Sequence, residues 1–100
     1  MAAIDDVESK LREVADRLSA VDATIKLDLA REGVLFVDAT HSPATIDRDD
    51  RDADCTITAD PDMMAQIVEG SLNPMFAFMS GKLRVDGSLA VAQRLTELFT

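Results

Sequence analysis

The sequence predicts an α/β domain of the α+β type: a five-stranded, mainly antiparallel sheet with helices packed on one face. Three observations predict it. Apolar residues recur at helical spacing towards both ends of the chain, and they alternate with polar residues through the middle. All four glycines and all three prolines fall at the boundaries between those stretches.

The first element is a helix over 5–20. Val7, Leu11, Val14, Leu18 and Val21 line one face, and Lys10, Arg12, Glu13, Asp16 and Arg17 form the other. Asp5 followed by Glu8 resembles a capping box. The apolar stripe also suits a coiled-coil partner, but it spans little more than two heptads, so packing on the domain's own sheet is expected. Period two then takes over. Ile25, Leu27 and Leu29 alternate with Thr24, Lys26 and Asp28, which describes a half-buried strand.

Arg31-Glu32-Gly33 supplies a turn, and 34–39 forms a second strand, apolar on both faces. A third strand covers Ala44 to Asp47, and a fourth covers Cys55 to Ala59 with Cys55 and Ile57 inward. Short connections favour antiparallel neighbours, so these strands read as a meander. Asp60-Pro61 and Asn73-Pro74 each pair a capping side chain with a proline whose missing N–H costs nothing. They start helices near 61–69 and 74–80, which Gly70 and Gly81 end. Lys82 to Asp86 alternates as a fifth strand, and Ser88 opens a last helix carrying Val91, Ala92, Leu95, Leu98 and Phe99.

One hundred residues suit a single domain over 1–100, and an apolar fraction of 47% can fill a core without disulfides. No run of apolar residues is long enough to span a bilayer. Met1 to Asp6 shows neither a basic start nor an apolar run, so no secretory signal is expected. Glu97 to Thr100 is not a peroxisomal address. Cys55 is the only cysteine, which suits a reducing cytoplasm. The net charge of −9 argues against nucleic acid and against docking on anionic lipid. Aspartate supplies 14 of the 19 carboxylates, whereas lysine stands only at 10, 26 and 82. That balance fits either adaptation to high salt or simple solubility.

Catalytic and metal motifs fail on inspection. His41, the only histidine, lies in a turn beside Ser42 with no nucleophile motif around either residue. Asp50, Asp52 and Asp54 match the first three ligands of an EF-hand loop, but Cys55 replaces its glycine and Pro61 its closing glutamate. No metal site and no cofactor are expected, and 47–54 reads as a solvated hairpin tip. Cys55 reads as a small core residue.

The segment 72–79 is different. Leu72, Met75, Phe76 and Met79 form one face while Phe78 points elsewhere, so the helix is apolar nearly all round and must be buried or face a cavity. Met63, Met64, Ile67 and Val68 make a second apolar surface. Four of the five methionines lie within 63–79, and their unbranched chains suit either a filled core or a surface that adapts to varied apolar shapes.

Gly70-Ser71-Leu72-Asn73-Pro74, then Ala77-Phe78-Met79-Ser80-Gly81-Lys82-Leu83, Val85, Gly87, and Ala92 followed by Leu95, closely resemble the core motif of the sterol carrier protein (SCP-2) family. Asp54 to Thr58 and Pro61 to Met64 look like that family's approach to the motif. The resemblance implies a five-stranded sheet, helices over one face, and an apolar tunnel between the layers. It also implies ligands of the sterol, fatty acid or fatty acyl-CoA class. Two departures stand out: membrane-exchanging members tend to be basic, and this sequence ends soon after the motif. The second leads to the expectation of a tunnel more open, or closed by a second subunit.

The expected function is therefore non-catalytic carriage of an elongated apolar ligand, a lipid-like small molecule. The candidate lining is Met63, Met64, Ile67, Met75, Phe76, Phe78, Met79, Leu83, Val91, Leu95 and Leu98. The alternative is an interaction or accessory module whose apolar surface meets a second copy or a larger enzyme. Neither reading involves nucleic acid or stable membrane insertion.

Overall fold

A computed structural model describes residues 4–99; the predicted features of 1–3 and of Thr100 lie outside the described residues. Helix α1 (Ile4–Glu13) turns Ile4, Val7 and Leu11 into the core, and its outer face carries Glu8–Arg12 and Asp6–Lys10 pairs one turn apart. The single predicted helix is in fact broken. The Val14 N–H bonds to the Leu11 carbonyl at 3.1 Å, a tight turn that separates α1 from α2 (Ala15–Leu18). A 3₁₀ turn over Ser19–Val21 follows, and Leu18 and Val21 stay buried despite the break. The predicted capping box does not form either. Asp5 lies inside the first turn, and the carboxylates of Asp5 and Glu8 bind Arg48 instead.

Strands β1 (Thr24–Asp28), β2 (Val34–Asp38), β3 (Thr45–Asp47), β4 (Cys55–Thr58) and β5 (Arg84–Gly87) form one mixed sheet in the order β3-β2-β1-β4-β5. Three neighbouring pairs are antiparallel, so the sheet is mainly antiparallel as predicted. It is not a meander. Strand β4 pairs parallel with β1, Ile25 opposite Cys55 and Leu27 opposite Ile57. A parallel neighbour cannot be reached by a hairpin. Residues 48–54 are therefore not a hairpin tip but a strap that crosses the sheet.

The register sorts the faces. Ile25, Leu27, Leu35, Val37, Ile46, Cys55, Ile57 and Val85 share the inner face, under the helices. Lys26, Phe36, Asp47, Thr56 and Thr58 share the outer one. The strap lies on that outer face: Lys26 Nζ meets Asp50 at 2.9 Å, and Arg51 caps the ring of Phe36. Asp54 closes it, its carboxylate accepting the Thr24 N–H at 3.0 Å. These carboxylates already have cationic or N–H partners, and among the described residues no cluster of His, Cys, Asp or Glu is arranged to hold a metal.

Helices α3 (Pro61–Val68), α4 (Pro74–Met79) and α5 (Leu89–Leu98) start where the capping residues predict. Asp60 Oδ1 accepts from the Asp62 N–H at 2.8 Å, Asn73 Oδ1 from Met75 at 2.8 Å and Ser88 Oγ from Val91 at 3.3 Å.

Candidate functional site

The inner face of the sheet supplies one wall of the site, because period-two alternation puts every second apolar residue there. The opposite wall comes from α3 (Met64, Ile67), α5 (Leu95) and α1 (Leu11). Between them lies an apolar void of about 40 Å³, reaching Leu83 and Phe99. An engineered apolar cavity of roughly 150 Å³ binds benzene, and this void, several times smaller, is too small for a hydrocarbon chain as it stands.

Beside it, open to solvent, is a groove of about 190 Å³ between α4 and α5. Met75 and Phe78 form one bank and Leu89 and Gln93 the other, with Leu83 and Val85 as the floor. Pro74, Leu83, Val85, Ala92 and Thr96 border both spaces, so the two are neighbours across a single layer of side chains. The Thr96 hydroxyl is turned back to the Ala92 carbonyl at 2.8 Å, which leaves the amide of Gln93 as the other polar side chain on the groove. A third space, a depression of about 410 Å³ also open to solvent, holds Met63 and Phe76 together with Asp60, Asp62 and Lys82.

The predicted lining residues are thus shared out. Met64, Ile67, Leu83 and Leu95 line the void; Met75 and Phe78 line the groove with Leu83; Met63 and Phe76 line the depression. Val91 is buried and Leu98 packs on the core, while Met79 is 80% exposed and lines none of the three. The expectation that α4 is buried on most sides or faces a cavity holds only in part: Met75 and Phe78 face the groove and Phe76 the depression, but burial is confined to one stripe. A six-residue helix has room for one buried stripe, and Pro74 and Ala77, three apart, occupy it. Met75, Phe76, Phe78 and Met79 are left 48%, 66%, 47% and 80% exposed.

Sequence reasoning missed the wall formed by Ile25, Leu27, Val37 and Ile57, although the alternation that found those strands also names their inward residues. It also missed Gln93, Thr96 and Phe99, which lie among the apolar positions of the last helix. Cys55 is fully buried, and burial raises its thiol pKa, with Asp86 and Asp54 adding to the effect. His41 is exposed, its Nε2 3.5 Å from Asp38 Oδ2. Asp38 is held below the usual carboxylate range by the Thr40 hydroxyl and then by the Thr40 N–H. No helix among the described residues is long and apolar enough to cross a membrane.

The model of the SCP-2 sterol transfer family matches residues 4–100. Sterol carrier protein 2 of Bos taurus is 37% identical over 70 residues, 68% of this chain and 13% of that protein. Hydroxysteroid dehydrogenase-like protein 2 of Mus musculus is 34% identical over 104 residues, 94% of this chain and 21% of that protein. The chain therefore spans a small part of either relative. The solution structure of sterol carrier protein 2 of Aedes aegypti, in complex with the C16 fatty acid palmitate, superposes with a TM-score of 0.71 at 23% identity, covering 96% of this chain and 93% of that one.

Proposed function

The chain belongs to the SCP-2 sterol transfer family, and from that premise we propose that it carries an elongated lipid-like ligand between its helices and its sheet without chemically changing it. The observation that carries the reading is the shared border of groove and void: Pro74, Leu83, Val85, Ala92 and Thr96 face both. Displacing α4, which is anchored through Pro74 and Ala77 alone among its buried residues, would merge the two into one tunnel. Met75 and Phe78 would then wall its mouth, and Met64, Ile67 and Leu95 its depth.

Burial of hydrocarbon drives binding, at about 0.8 kcal/mol per methylene. A chain of about 16 carbons gains on the order of 12 kcal/mol gross, less the freedom lost on binding and the work of moving α4. Gln93 at the groove offers an amide to the polar end of such a molecule. The palmitate named with the Aedes aegypti structure makes a fatty acid the first ligand to try.

The test is native mass spectrometry of the purified chain, followed by titration of the delipidated chain with a fluorescent fatty acid. A co-purifying lipid, or uptake of the probe with one-to-one stoichiometry, is expected. Absence of both, in protein shown to be folded, overturns the reading.

A further inference from the structure

Strand β5 is an end strand of the sheet, paired with β4 on one side and with no strand on the other among the described residues. An unpaired edge is a template for another strand unless its side chains forbid it. The side chains here forbid most partners but fit one. Arg84 and Asp86 lie two apart on the same face, 3.3 Å from each other and largely exposed. If two β5 strands pair antiparallel about a two-fold axis at Val85, Arg84 of each chain stands opposite the partner's Asp86. A one-residue shift destroys both matches, so the charges select a single, self-complementary register.

Two further features agree. Immediately inside this edge, the floor of the groove is Leu83 and Val85, and its banks expose Met75, Phe78 and Leu89, the last 68% exposed. An isologous contact would lay one such apolar groove against its copy, beneath the joined strands. The charge is also distributed to permit it. Only Asp86 and Glu97 of the 19 carboxylates follow residue 69, beside Lys82, Arg84 and Arg94, whereas residues 1–69 hold seven basic groups and 17 acidic ones. Two copies of a chain of net charge −9 meet with least repulsion at this end.

We propose that the β5 edge and the exposed apolar side chains of α4 and Leu89 form a surface for a second copy of this chain, joined through antiparallel β5 strands centred on Val85. An anionic bilayer fits less well: beside Phe76 the two carboxylates of Asp60 and Asp62 outnumber the one ammonium of Lys82. The proposal does not rest on the lipid reading, but the two share the groove of Met75, Phe78 and Leu89, so self-association and ligand entry would compete there.

Sedimentation equilibrium of the delipidated chain tests it, with circular dichroism to confirm that each variant is folded. The parent is expected to be a dimer. Arg84→Glu, which sets two carboxylates opposite each other twice, is expected to weaken the dimer roughly tenfold or more. The charge-swapped double variant R84D/D86R, self-complementary again, is expected to recover it. A parent that stays monomeric, or a dimer indifferent to Arg84→Glu, or a double variant as weak as Arg84→Glu, overturns the proposal. So does a monomeric parent that co-sediments with anionic vesicles and loses them on Met79→Ser.

Discussion

The guanidinium of Arg51 lies 4.0 Å from the centroid of the Phe36 ring, on the face of the sheet away from the helices. Phe36 is only 3% exposed, although its strand neighbours on that face are Lys26 and Asp47. The strap therefore buries a large aromatic side chain on a face that otherwise carries mostly polar residues. Arg51 is itself held by Asp47 at 2.8 Å and Asp49 at 3.2 Å. Arg51→Ala loses the cation–π contact and the cover of the aliphatic stem together. The expected cost is about 1–2 kcal/mol, read from urea unfolding, and Arg51→Lys should recover only part of it.

Acid should loosen the contact between the strap and α1. Glu8 is held below the usual glutamate range, first by hydrogen bonds from Arg12 and then by those from Arg48. A lowered folded-state pKa means stability that is present above the unfolded value, near 4.3, and lost as pH falls through the folded one. Asp38 and Glu69 are lowered too and act in the same direction. Urea midpoints should therefore fall below about pH 4. Glu8→Gln should be less stable than the parent at pH 7, with the gap closing towards pH 3.

Gly87 and Gly70 both have positive φ, at 96° and 86°, but only Gly87 is also crowded. A Cβ there would sit 2.6 Å from the Asp54 carbonyl oxygen, whereas at Gly70 nothing lies within 4 Å. Gly70→Ala should cost about 1–2 kcal/mol from backbone strain alone. Gly87→Ala adds displacement of the strap's end and should cost clearly more, measured in the same thermal or urea series.

The methionines separate equally well. Met64 is 4% exposed and Met79 is 80% exposed. Met64→Ala should destabilise by about 2–5 kcal/mol, and Met79→Ala should stay within about 0.5 kcal/mol. Equal costs for the two would show that α4 folds inward in solution.

Much of this arrangement was legible from local chemistry. Asp60, Asn73 and Ser88 announce their helices because a capping side chain acts within three residues, and Ile25, Leu27 and Ile57 announce their inner face because a strand has period two. What local pattern cannot express is which strand lies beside which. The pairing of β1 with β4 comes with contacts of Arg51 with Phe36 and of Asp50 with Lys26 across the sheet, and residues 47–54 carry the same composition a surface tip would. Nor does hydrophobicity say how many sides of a short helix are covered. Phe76 and Met79 read as interior residues by type, yet Pro74 and Ala77 take the contact because their small bulk lets the helix axis approach the layer beneath.

The parallel seam in the centre of the sheet also bears on the order in which the chain becomes a folded object. Ile25 and Cys55 are neighbours in space but about thirty residues apart along the chain. A ribosome adding roughly 5–20 residues per second delivers them seconds apart. During that interval β1 can pair with β2 and leave its other edge bare, with Leu27 exposed. Closing the seam is a long-range event whose entropy must be met before its contacts form, so it belongs to the slow class of folding steps. The strap is the segment that shortens the search. Once Asp50 reaches Lys26 and Arg51 reaches Phe36, Cys55 is only four residues from its place.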